Sequence, residues 1–197
     1  MKKRLIVGIT GASGAIYGIR LLQVLKNLPN NNDNFEIHLI LSRVAYQTIE
    51  LETDFTICEV NALADVVHDV RNLAASISSG SFKTTGMIIL PCSIKTLSSI
   101  VNSYSTDLLI RAADVVLKER RRLVLCIRET PLHIGHLRMM TKATELGAII
   151  MPPVPAFYHR PSKISDIIDQ TVNRTLDQLE INLYQSKYLV KPWQGIN

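Results

Sequence analysis

Cysteine is scarce in this chain of 197 residues: Cys58, Cys92 and Cys126 lie far apart, with no C-x-x-C pair among them. That spacing supports neither a disulfide framework nor a zinc site, and it makes a reducing cytoplasm the natural compartment. Long hydrophobic runs are also missing. Hydrophobic residues make up 47% of the chain, yet no stretch reaches the roughly 18 unbroken apolar residues that a membrane helix needs. The surplus apolar surface goes either into subunit contacts or into a large core. Met1-Lys2-Lys3-Arg4 ahead of Leu5–Ile9 has the charge of a signal peptide, but the apolar run is short and Gly11 to Gly14 interrupt it at once, so it reads as a first strand. The 5 histidines form no H-x-x-x-H or H-E-x-x-H pattern. His133 and His136, three apart, have no carboxylate-rich partner set, so no metal is expected. Aromatic residues are only 6%, and none interleaves with the one dense basic run, Lys118-Glu119-Arg120-Arg121-Arg122. The run therefore reads as a helix C-terminus complementing its dipole rather than a nucleic-acid patch. A formal net charge of +5 suits small anionic ligands.

What is present is a regular alternation. Apolar runs at Arg4–Ile9, Glu36–Leu41, Met87–Leu90, Leu123–Cys126 and Ala148–Met151 read as strands. Helical patterns follow at Ala15–Asn27, Val44–Glu52, Ile94–Val101, Asp107–Arg121, Gly135–Leu146 and Ser165–Leu179. Strands that are apolar almost throughout are buried on both faces, the mark of a parallel sheet covered by helices. Repeated βα units predict a single-domain α/β protein, Rossmann-like (flavodoxin-like) and doubly wound, with ligands at the carboxyl ends of its strands. Asn30-Asn31-Asn32-Asp33-Asn34 reads as an inserted polar loop. Residues 1–180 form the expected domain, and 181–197 a tail that either frays or packs on a neighbouring subunit.

The turn after the first strand, Thr10-Gly11-Ala12-Ser13-Gly14-Ala15, lets the backbone approach a ligand closely. Amides at the start of the following helix are expected to meet an anion, so a phosphate-bearing ligand is placed there. The spacing is not G-x-G-x-x-G and no Walker lysine follows. Ser13 is a further donor for a ligand or for the helix start. Ser42 ends the second strand, and Pro91-Cys92-Ser93-Ile94-Lys95-Thr96 follows the third. Each turn alone is explicable as helix capping; three at one sheet edge make a cofactor cradle. Arg111, Asp114 and Lys118 share one helix face, either as a solvated stripe or as part of a site. Arg128 and Glu129 follow the fourth strand, where a phosphate clamp beside a tuned acid and a structural pair are both open readings. Pro152–Pro161 is a stiff aromatic loop carrying Tyr158, and Arg174 lies on the last long helix.

Taken in order, Gly11-Ala12-Ser13-Gly14-Ala15-Ile16-Tyr17-Gly18, Ser78-Ser79-Gly80-Ser81, Pro91-Cys92-Ser93, Arg111-Ala112-Ala113-Asp114-Val115, Lys118-Glu119-Arg120-Arg121, Arg128-Glu129-Thr130-Pro131 and Pro155-Ala156-Phe157-Tyr158-His159 resemble the UbiX-type flavin prenyltransferases. The match runs from about residue 4 to residue 180. Members were formerly described as aromatic-acid decarboxylases or carboxy-lyases. The resemblance implies transfer of a dimethylallyl group from dimethylallyl monophosphate to reduced FMN, at N5 and C6, without metal. The product, prenylated FMN, serves a separate UbiD-type decarboxylase, commonly in ubiquinone biosynthesis or aromatic-acid metabolism. It also implies a homo-oligomer, typically a dodecamer, whose subunits share active sites. Carried over by position, the FMN cradle falls on Gly11, Ala12, Ser13, Ser42, Ser93, Ile94, Lys95, Thr96 and Arg128. The prenyl phosphate site falls on Lys118, Glu129, Tyr158 and Arg174, with Arg111 nearby. Glu52 matches an acidic position suited, with Ser13, to a proton relay. One departure is Leu73, where some members carry an aromatic residue. A flavin-dependent cysteine decarboxylase is disfavoured because no P-x-M-N motif is present, and a non-catalytic FMN carrier is the rival of another class.

Overall fold

In the computed structural model, which describes residues 3–28 and 35–181, the apolar runs become neighbouring strands of one sheet. Strands β1 (Lys3–Ile9), β2 (Phe35–Leu41), β3 (Val66–His68), β4 (Gly86–Cys92), β5 (Arg122–Ile127) and β6 (Ala148–Ile150) lie in the order β3-β2-β1-β4-β5-β6. Every neighbouring pair is parallel. This is the doubly wound, Rossmann-like order, with its reversal between β1 and β4. β3 was not expected: it is short, and it pairs only with β2 at the sheet edge.

Among the described residues, helices α1 (Ala15–Lys26), α2 (Arg43–Glu52), α3 (Ile57–Asn61), α4 (Ile94–Val101), α5 (Leu108–Lys118), α6 (Ile134–Glu145) and α7 (Ile164–Asp177) cover both faces. Alternate strand residues separate the two cores, as a period of two requires. Leu5, Val7, Ile9 and Val124 pack with Ile19 and Leu22 of α1 and with Val172 and Leu176 of α7. Ile6, Met87, Ile89 and Leu125 pack with Leu97 of α4, Leu109 and Val116 of α5, and Ala143 of α6. Each fully buried aliphatic side chain contributes about 1.5–3 kcal/mol relative to exposure. Gly18 lets α1 lie directly on the sheet: a Cβ there would overlap the Leu90 carbonyl oxygen and sit 2.8 Å from the Ile9 side chain.

Ile181, the last described residue, is buried with Leu179 in the first core. The rest of the expected tail and the Asn30–Asn34 loop lie outside the described residues. No helix among the described residues is long and apolar enough to cross a membrane.

Candidate active site

The turns that follow β1, β2 and β4 meet at the carboxyl edge of the sheet, beside its switch point. Thr10 laces two of them together. Its hydroxyl donates to the Pro91 carbonyl at 2.8 Å and accepts from the Ser93 amide at 2.9 Å. Sequence reasoning missed this residue, although a hydroxyl between the last apolar residue of a strand and a glycine turn was a usable signal. Ser42 caps α2, accepting the Ala45 amide at 3.2 Å, and Ser93 caps α4, accepting the Thr96 amide at 3.2 Å.

Between these turns opens a cleft of about 630 Å3, within the range of small-molecule sites. Gly11, Ser42, Ser93, Lys95 and Thr96 line it, Arg43 adds positive charge, and Arg71 also borders it while donating to the Asp69 carboxylate at 2.6 Å. A Cβ at Gly11 would overlap the Val44 side chain, so only glycine lets the β1 turn and the start of α2 approach this closely. Ala12 and Ser13 continue the same turn, and Ile94 opens α4. Arg128 follows β5, where its amide donates to the Cys92 carbonyl at 3.0 Å, which places the residue next to the β4 turn. With hydroxyls, cations and two helix starts around one cleft, the donor set fits the phosphate of a mononucleotide such as FMN.

One expectation is corrected. Amides at the start of α1 were to meet a ligand phosphate, but the Glu52 carboxylate, at the last residue of α2, occupies them. Its Oε2 accepts from the Gly14 amide at 2.7 Å and from the Ala15 amide at 3.1 Å. Gly14 supports this arrangement with φ 99°, a conformation that favours glycine. Burial pushes the Glu52 carboxyl up, but a hydrogen bond from Ser13, the two amides and the charge of Arg128 outweigh it, so its pKa lies below the ordinary value. The starts of α2 and α4, capped by Ser42 and Ser93, line the neighbouring cleft instead.

The expected prenyl-phosphate residues do not converge within one chain. Arg111 Nη1 donates to Asp114 at 2.9 Å and Nε to the Ser78 carbonyl at 3.2 Å. Lys118, at the end of α5, is hydrogen-bonded to Glu119. The basic run after it is structural in part: Arg121 donates to the Gly80 carbonyl at 2.7 Å and to the Phe82 carbonyl at 2.9 Å, fastening the Ser-Gly-Ser segment. Glu129 follows the carboxyl end of β5, whereas Lys118 precedes its amino end, and a strand of that length spans about 20 Å. Arg174 belongs to α7 in the opposite helix layer, where it pairs with Asp177 at 2.8 Å. It borders a hollow of about 350 Å3 with Met151, Pro152, Gln170 and Thr171. Tyr158 joins that side, since its hydroxyl accepts from Gln170 at 3.3 Å. Around these residues Val154, Phe157, Tyr158 and Ile164 are exposed by 71%, 68%, 53% and 77%, more apolar surface than a stiff surface loop requires.

His133 caps α6, accepting the Gly135 amide at 3.0 Å, and its ring lies 3.5 Å from that of His136. No group of three or more His, Cys, Asp or Glu suited to a metal ion occurs among the described residues.

A parallel, doubly wound sheet with a hydroxyl- and cation-lined cleft at its switch point defines a mononucleotide-binding α/β protein. Comparison narrows the class. The family model described as Flavoprotein matches residues 1–175. Flavin prenyltransferase UbiX of Escherichia coli (strain K12) is 67% identical over 193 residues, covering 98% of this chain and 99% of that protein. The enzyme of the same name from Thauera aromatica is 57% identical over 180 residues, covering 91% and 90%. Among solved structures, AnUbiX (PadA1) in complex with FMN and dimethylallyl pyrophosphate superposes with a TM-score of 0.93 at 47% identity, covering 100% of both chains. A dodecameric FMN-dependent Ubix-like decarboxylase from Escherichia coli O157:H7 gives 0.90 at 48% identity, covering 98% of this chain and 100% of that one. The chain belongs to the flavoprotein family and, within it, to the UbiX flavin prenyltransferases.

Proposed function

We propose that this chain transfers the dimethylallyl group of dimethylallyl monophosphate to N5 and C6 of reduced FMN, releasing phosphate and prenylated FMN, the cofactor of a UbiD-type decarboxylase. The observation that carries the reading is the near full-length, 67% identity to a flavin prenyltransferase. The hydroxyl-lined cleft at the switch point supports it.

Gly11, Ala12, Ser13, Ser42, Ser93, Ile94, Lys95, Thr96 and Arg128 hold FMN, with its phosphate at the starts of α2 and α4. Reduced FMN supplies the electron-rich ring that receives the prenyl group. Arg111, Lys118 and Arg174 stabilise the leaving phosphate by fixed positive charge, and Tyr158 donates a hydrogen bond to it. Glu129 delivers a proton to that phosphate, because a monophosphate dianion leaves poorly without one. Glu52 holds Ser13 and the start of α1, and with Ser13 forms a proton relay at the flavin. Water must be excluded from the site, since it would trap the allyl cation as an alcohol.

Lys118 and Arg174 stand in opposite helix layers of one chain, so neighbouring copies complete the site. The oligomer is a dodecamer, as in the neighbour from Escherichia coli O157:H7, and Val154, Phe157 and Ile164 give its contacts an apolar surface. Residues 1–180 form the flavin-binding domain. The protein works in the cytoplasm, in ubiquinone biosynthesis.

The test is an anaerobic incubation of purified protein with reduced FMN and either dimethylallyl monophosphate or the pyrophosphate. A prenylated flavin of increased mass and altered absorption, formed faster from the monophosphate, is the expected outcome. FMN bound but recovered unchanged would make the protein a carrier.

A further inference from the structure

His38 is a titratable side chain inside β2, 2% exposed, and the proposed reaction makes no use of it. Both of its ring nitrogens are partnered. Nε2 lies 2.9 Å from Glu36 Oε1 on the same strand, and Nδ1 lies 2.9 Å from His68 Nε2 on β3. The two ring planes are within 15° of each other, and Phe82 packs against His38 at 78°. A carboxylate only accepts, so His38 Nε2 carries a proton and Nδ1 of neutral His38 is a lone pair. His68 must then donate from Nε2. The pair holds one proton between its rings, and the direction of that bond is set by Glu36, which also lies 3.5 Å from Arg4.

β3 has little else to hold it. It is three residues long, pairs with β2 alone, and ends at His68. The chain then runs directly into the flavin cleft. Val70 and Arg71 line that cleft, and the Val70 carbonyl accepts from the Leu108 amide at the start of α5 at 2.8 Å.

We propose that Glu36, His38 and His68 form a clasp that seats β3, and with it the Val70–Arg71 wall of the flavin cleft, and that acid opens it. A first added proton takes His68 Nδ1, the nitrogen not shared with His38, and leaves the contact intact. A second must go to His38 Nδ1, which turns two N–H groups toward each other across 2.9 Å and parts the rings. The charged groups around His38 are Arg4 of β1, Glu36 of β2 and Asp65 ahead of β3; Arg43, Tyr46, Asp69 and Arg71 border a hollow with His68. Burial outweighs the pull of Glu36 and holds His38 below the ordinary value of 6.5, and burial with the charge of His38 does the same for His68. The unfolded chain therefore takes up protons first as pH falls. The contribution of the clasp is complete above 6.5 and is lost as pH falls through the lower, folded-state values. The effect on the cleft rests on the reading that FMN occupies it.

The experiment is amide hydrogen exchange on the full-length protein at about pH 7.5 and about pH 5, corrected for the intrinsic effect of pH, with the amides of β4 as internal reference. His68→Gln keeps a side-chain amide that donates to neutral His38 and accepts from its protonated ring, so the contact survives at both pH values. His68→Leu makes no such contact at either. One hydrogen bond is worth about 3- to 10-fold. Acid should lower protection of residues 66–71 by that factor in the wild type and leave His68→Gln unchanged, while His68→Leu shows the lowered protection throughout. Wild-type protection that does not change with pH overturns the clasp. So does a His68→Gln variant that loses as much as the wild type, or a His68→Leu variant as protected as the wild type at the higher pH. FMN dissociation constants at the same two pH values test the link to the cleft. The wild-type value should rise in acid about 3- to 10-fold more than that of His68→Gln, and equal rises overturn the link. Absence of FMN binding by the wild type at the higher pH overturns the flavin reading instead, and the exchange result still decides the clasp.

Discussion

Replacing Glu52 by alanine removes the anion that closes the start of α1. Two backbone amides, those of Gly14 and Ala15, lose the oxygen they share at 2.7 and 3.1 Å, and Ser13 loses its partner. A lost N-terminal cap costs about 0.5–2 kcal/mol, and loss of a carboxylate at a helix N-terminus about 0.3–1 kcal/mol. These contributions overlap, and the solvent-exposed position of Glu52 screens the charge, so a total of about 1–2 kcal/mol is expected. For a domain of this size that lowers Tm by about 2–8 °C, at fixed protein concentration because assembly raises apparent stability. Glu52→Gln keeps an acceptor oxygen for both amides and loses only the charge, so its cost is about 0.5 kcal/mol. The two variants also separate by pH. The folded-state pKa of Glu52 lies below its ordinary value of 4.5. Its charge-dependent stabilisation is therefore complete above that value and disappears as pH falls through the lower, folded-state value. Thermal melts from neutral pH into the acid range should show a constant gap between wild type and Glu52→Gln that closes in acid. A gap independent of pH, or a Glu52→Ala variant no less stable than Glu52→Gln, would refute the capping role.

Glu129→Gln is expected to keep FMN binding, measured by flavin fluorescence, while nearly stopping prenyl transfer; an unaffected rate would remove Glu129 as the proton donor. Gly18→Ala drives a methyl into the Leu90 carbonyl and should cost about 1–3 kcal/mol by overpacking, seen as a lower urea midpoint; an unchanged midpoint would mean that α1 can lift off the sheet without cost. Of the cysteines, only exposed Cys58 should react with a thiol reagent in the folded protein. Burial pushes the Cys92 thiol up, and that of Cys126 up to about 12, so mass spectrometry should find one adduct per chain.

The four longer strands were legible because Leu5–Ile9, Met87–Leu90 and Leu123–Cys126 are apolar throughout and Ile37–Leu41 is interrupted only by His38, and the short β6 because Ala148–Met151 continues apolar beyond it, as double-sided burial requires. β3 and α3 were not: β3 offers only Val66 and Val67 between Asp65 and His68, and the five residues from Ile57 to Asn61 are too few for a helical period to stand out. The cleft was legible in part because Ser42 and Ser93 mark strand-to-helix junctions in the sequence itself. Thr10 was overlooked because its two partners, Pro91 and Ser93, are about eighty positions away. The anion at the start of α1 was misread for the same reason. Glu52 looks like the tail of its own helix until the chain folds it back onto Gly14. Lys118 and Arg174 were grouped by resemblance, and their separation into opposite layers follows from the doubly wound path, which sends α5 and α7 to different faces.

The most direct measurement is complementation between two inactive variants. Lys118→Ala and Arg174→Ala are expected each to abolish prenyl transfer as homo-oligomers. When the two are co-expressed and mixed oligomers are verified by native mass spectrometry, some sites combine Lys118 from one chain with Arg174 from another. Activity should return in proportion to those sites. Mixed oligomers that remain inactive would contradict a site shared between subunits, and with it the proposed meeting of prenyl phosphate and flavin.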